Sequence, residues 1–138
     1  LPPRLGTLRL RHAIEVRHPS FRTAEFVELA RRHRVAVVCA DSDDYPSFAD
    51  ASADFVYARL MRSESACPTG YEADALTAWA GRARRWSEGG EPDDVPRVLP
   101  PTAAGAPRDV FLFFISGAKE RAPAAAVALR AALESSPG

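Results

Sequence analysis

Glu15 and Arg17 stand two residues apart in the run Ala13-Ile14-Glu15-Val16-Arg17-His18-Pro19. On an extended chain that spacing turns a carboxylate and a guanidinium to one face while Ile14 and Val16 take the other. A charged face on an apolar strand has two explanations: a mutually neutralising pair, since buried charge is costly unless compensated, or a polar site that opens at the strand's end. Asp41 closes the next apolar run, and Tyr57 and Arg59 share a face near the end of a third. As a site, Glu15 is the general base and Asp41 a second carboxylate or hydrogen-bond acceptor. Arg17 and Arg59 are then bidentate anchors for a phosphate or carboxylate. As structure, Glu15 with Arg17 or Arg59 is an ion-pair network inside the fold. Lys119 either reaches the same mouth or is a solvated helix start.

The remaining reactive side chains read more plainly. His18 precedes a proline at the strand exit and suits a loop or capping role, while His12 and His33 suit the surface or packing. Asp41, Asp43 and Asp44 could gather a cation, but a cluster of this kind before Pro46 forms turns, and no metal is expected. Trp79 and Trp86 repeat at helical spacing and read as core anchors. No glycine-rich phosphate loop, nucleophile elbow or HExxH motif is present, and no organic cofactor is expected.

The elements that must position these groups follow from periodicity. After a proline-rich lead-in over 1–8, residues 9–17 form a first strand. Ser20 or Thr23 caps a helix over 24–34, with Phe26, Val27, Leu29 and Ala30 as its apolar stripe. The run VAVVCA over 35–40 has the continuous apolar character of a strand buried on both faces. Residues 54–60 give a third strand and 72–87 a helix stopped by Gly89 and Gly90. Residues 88–108 hold too much proline and glycine for a regular element and read as an exposed, flexible insertion. Residues 109–115 form a fourth strand with Ser116-Gly117 as its exit, and Pro123 opens a closing helix to about 134 through Val127, Leu129 and Leu133. About four strands alternating with covering helices, with charge gathered at C-terminal strand ends, give an α/β fold with a parallel sheet. Periodicity leaves open whether that sheet is a barrel or open.

Composition removes other classes. The 138 residues suffice for one domain, and 18 basic against 18 acidic residues leave a formal charge of zero, so no field favours nucleic acid or an anionic membrane. Cys39 and Cys67 fit neither a CxxC metal pair nor a disulfide framework, which points to a reducing, cytoplasmic setting. No apolar run approaches the roughly 18 residues of a membrane span.

The segments RHAIEVRHPSF (11–21), VAVVCADS (35–42), ADFVYARL (53–60) and DVFLFFISGAKERAPAAA (109–126) resemble the YecE-like family, a domain of unknown function found in bacterial-type proteins. The resemblance implies a partial (β/α)8 TIM-barrel-like domain over 1–138, the later half of a barrel. It matches Glu15 and Arg17 to the family's Glu-x-Arg, Asp41 to its strand-end aspartate, and Tyr57 with Arg59 to its Tyr-x-Arg. Met61 stands where the family carries histidine, and Ile115 and Ser116 stand where its last strand ends in asparagines. These departures remove an imidazole and amides from the implied mouth.

Two functions follow. One is an acid/base enzyme acting on a small polar or anionic, sugar- or phosphate-like molecule at the C-terminal barrel face. The other is a catalytically degraded remnant or non-catalytic binding module. Open strand edges on such a piece also predict self-association, or pairing with a missing N-terminal half-domain.

Overall fold

Glycine, caps and alternation sort the chain into short strands and three α-helices, in a computed structural model that describes residue 2 and residues 4–101, 105–115 and 118–135. Strands β1 (Arg4–Leu5) and β2 (Leu8–Arg9) pair as an antiparallel hairpin, with Gly6 at φ 62° supplying the left-handed backbone of its turn. Strand β3 covers only His12–Ile14 rather than 9–17, because Arg9 is spent in the hairpin and only three residues find ladder partners. Helix α1 (Ala24–His33) begins where Thr23 Oγ1 accepts the Phe26 amide at 3.2 Å, and it buries Val27 and Ala30. Leu29, expected in the apolar stripe, is exposed beside the open flank of β3.

The second apolar run divides into β4 (Val35–Val37) and β5 (Cys39–Asp41), because the chain changes partner at Val38. Strand β4 runs parallel to β3, and Val38 still donates to the Ile14 carbonyl at 2.8 Å. Strand β5 runs parallel to β6 (Phe55–Leu60), which runs parallel to β7 (Asp109–Phe114). Strands β3–β4 and β5–β6–β7 thus form two separate parallel sheets, each in chain order, and no sheet closes into a barrel among the described residues.

One face of β5–β7 meets helices. Val56, Ala58 and Leu60 pack with Trp79, Trp86 and Leu129 of α2 (Ala73–Ser87) and α3 (Ala122–Ser135), and Val110, Leu112 and Phe114 join them from β7. Burying large side chains such as Trp86 and Leu60 completely contributes on the order of 2–3 kcal/mol each before entropy is subtracted. Pro123 lies in the first turn of α3 as expected, but of its three large apolar residues only Leu129 is buried. The opposite face of β6 and β7 carries Phe55, Tyr57, Arg59, Phe111 and Phe113.

A second core joins Val16, Val27, Ala30, Val37 and Phe48, with Val98 and Leu99 packed against it. The residues of 88–108 that are described form no helix or strand; many are exposed, as expected of an insertion, while Gly89, Glu91 and Pro92 are buried. Two carboxylates tie this strap down. Asp50 accepts the Val98 and Leu99 amides at 2.8 and 2.9 Å, and Glu91 accepts the Ala51 amide at 2.8 Å, so side chains replace the ladder partners that these amides lack. Residues 102–104 and the Ser116-Gly117 exit lie outside the described residues, as does the departure at Ser116.

Candidate anion site at the strand ends

Shortening β3 moves Glu15 and Arg17 just past its end, which frees their side chains to reach across the sheet. Glu15 lies between two arginines. Its Oε2 accepts from Arg17 Nε at 3.1 Å and Nη2 at 2.9 Å, and its Oε1 accepts from Arg59 Nη1 at 2.5 Å. The Glu15 side chain is 14% exposed and that of Arg59 23%, while Arg17 is open to water at 59%. Burial pushes the Glu15 carboxyl upward, but the hydrogen bonds and charges of Arg59 and Arg17 outweigh it and hold the group below its usual range. Glu15 is therefore a firmly ionised carboxylate. A general base works best near the operating pH, so this setting suits the orientation of two guanidiniums better than proton abstraction. One negative charge against two positive charges leaves the group with a net positive charge.

Aromatic rings surround it. The Arg17 guanidinium lies 4.7 Å from the Tyr45 ring centroid. Tyr57 stacks on Phe113 at 4.9 Å between centroids, with 29° between planes. In the ladder Arg59 is the direct partner of Phe113 on one side and of Ala40 on the other.

Asp41 is not brought into this group. It pairs with Leu60, which is wholly buried on the helix-facing side, whereas Arg59 occupies the opposite face. There Asp41 Oδ2 accepts from the Tyr71 hydroxyl at 2.7 Å and Oδ1 from Arg62 Nε at 2.9 Å. Arg62 also donates to Asp43 at 2.6 Å, and its amide donates to the Tyr71 oxygen at 2.9 Å. Burial, together with the neighbouring Asp41 carboxylate, pushes the Tyr71 hydroxyl upward, so it stays a proton donor. The expected single constellation is thus two groups on opposite faces of one sheet edge.

Lys119 stands exposed on a short 3-10 turn (Lys119–Arg121), with no hydrogen bond or ion pair to the Glu15 group. His18 caps a 3-10 turn, its Nδ1 accepting the Ser20 amide at 3.1 Å. Ser42 Oγ accepts the Asp44 amide, the arrangement of a turn. Among the described residues no three His, Cys, Asp or Glu side chains gather as metal ligands. Cys39 and Cys67 are free, buried thiols. A broad open groove does exist between β3 and α1, lined by Ile14, Phe26 and Leu29 with Arg4, Arg9 and Arg34, but neither Glu15, Arg59 nor Asp41 lines it. Sequence reasoning missed Tyr45, Arg62, Tyr71 and Phe113 as partners. Only Phe113 had a readable signal, its two-residue spacing from Phe111, and the continuous apolar run Val110–Phe114 hid it.

A family model described as protein of unknown function DUF72 matches residues 3–137, and the chain belongs to that family. A match of that extent gives no support to the expectation that the chain is a later half alone. No curated protein and no solved structure matches the chain.

Proposed function

We propose that this DUF72-family chain is a YecE-like binding protein that holds a small anionic molecule, phosphate- or carboxylate-bearing, at the C-terminal ends of its parallel strands. The observation that carries this reading is the Glu15 clamp. A single carboxylate fixes Arg59 and Arg17 and leaves net positive charge at a partly exposed position. Preorganised guanidiniums are the protein groups best matched to carboxylate and phosphate oxygens. Strand order, one-sided helices and polar side chains at the C-terminal ends support a second element of the reading, that the sheet is part of a (β/α)8-type barrel. Acid/base catalysis by Glu15 is disfavoured, because its ionised state is stabilised rather than poised.

Titrating the protein with inorganic phosphate or acetate while following amide chemical shifts tests the proposal. Saturable shifts at 15–17 and 59–61 are expected, and they should be lost in Arg59→Ala and weakened in Arg17→Ala. A folded protein that shows no saturable response to either anion overturns it.

A further inference from the structure

We infer that the anion held at the strand ends carries an aromatic ring, an aryl carboxylate of the benzoate type, with the ring seated on Phe113. The inference rests on the anion site proposed above and adds the chemistry of the rest of the ligand. Phe111 and Phe113 are 40% and 42% exposed, on the face of β7 away from the helices, while Val110, Leu112 and Phe114 between them pack inward. Large apolar side chains that adjoin one another in the open mark a surface built to be covered. Tyr57 packs against Phe113 and so fixes its ring, and Phe55 meets Phe111 edge-on at 6.1 Å, which holds the second ring the same way. Ladder partners stand side by side on one face, so the Arg59 stem rises next to Phe113.

Charge selects among the occupants of such a face. The adjoining group is net positive, with Arg59 anchored by Glu15 and Arg17 reaching into water, and this favours an anion over a neutral or cationic ring. An aliphatic anion would leave both phenylalanines wet. A polyanion such as nucleic acid would meet a chain of zero formal charge, without the broad basic surface it requires. A small molecule joining ring and carboxylate satisfies both neighbours at once.

The test compares acetate, benzoate and benzyl alcohol on the full chain by amide-shift titration, with Phe113→Ala and Phe113→Leu alongside. Benzoate should bind on the order of tenfold tighter than acetate, the increment expected for one well-placed ring pair. Either Phe113 variant should erase that advantage while leaving acetate binding intact, and benzyl alcohol should bind weakly or not at all. Equal binding of acetate and benzoate overturns this inference and leaves the anion site standing. Failure of both anions to bind overturns this inference, and failure of phosphate alongside them overturns the anion site as well. A benzoate advantage that survives both variants, or a dimer in light scattering that Phe113→Ala dissociates, assigns the ring face to another occupant and overturns the inference alone.

Discussion

Glu15 owes its charge state to competition between partial burial, which favours the acid, and two guanidiniums, which favour the carboxylate and win. Its folded-state value lies below the ordinary 4.5, so the stability it contributes is present in full above pH 4.5 and is lost as pH falls through the lowered value. Replacing Glu15 with glutamine should cost about 2 kcal/mol at pH 7, the scale of charge-assisted hydrogen bonds. Urea unfolding of the two proteins should show that gap closing in acid; a gap that persists well below pH 4 would contradict the ion-pair account. Cys39 makes the opposite case, since burial first and the nearby Asp41 charge second push its thiol up to about 12. In a Cys67→Ser variant the native protein should not react with a disulfide reagent at pH 8, and unfolding should release one thiol. The residue types at 15, 17 and 59 were legible as chemistry from spacing alone. The side of the sheet on which Asp41 ends was not, because it depends on the register that pairs Asp41 with Leu60.

Helices α1 and α2 fall within a residue or so of their expected limits, because their signals are local: Thr23 caps the first, and glycines follow the second. Strand β3 contracts because strand length is set by partners, and only Val35–Val37 is available to it. The strap over 88–101 looked featureless for a related reason, since Asp50 holds its Val98 and Leu99 amides and its own Glu91 reaches the Ala51 amide, across separations of 40 to 49 residues. Substituting Asp50 with alanine would leave two amides without their acceptor. It should destabilise the protein by about 2–4 kcal/mol, and hydrogen exchange should show Val98 and Leu99 losing protection before the central strands. Unchanged protection there would rule out the latch. Gly89 sits at φ 91°, and a Cβ there would run into the Gly105 carbonyl. Gly89→Ala should therefore cost more than the roughly 1 kcal/mol of left-handed backbone alone, read from its thermal midpoint.

At the scale of the whole molecule, β3 and β7 each have one ladder partner among the described residues, so each presents an open edge. Unpaired edges on a chain of zero formal charge favour association between copies. Light scattering should show mass rising with concentration, and a monodisperse monomer at high concentration would contradict that expectation. Among the described residues no helix is long and apolar enough to cross a membrane.

The sequence by itself determined the α/β class, the three helices, the parallel character of the buried runs and the charged residues at strand ends, since each follows from local period, capping and composition. Tertiary structure alone decided that Glu15 meets Arg59, 44 residues away, while Asp41 turns to Tyr71 and Arg62. Parallel strands joined by long crossovers carry no local record of their register, and a shift of one residue in register moves a side chain to the other face.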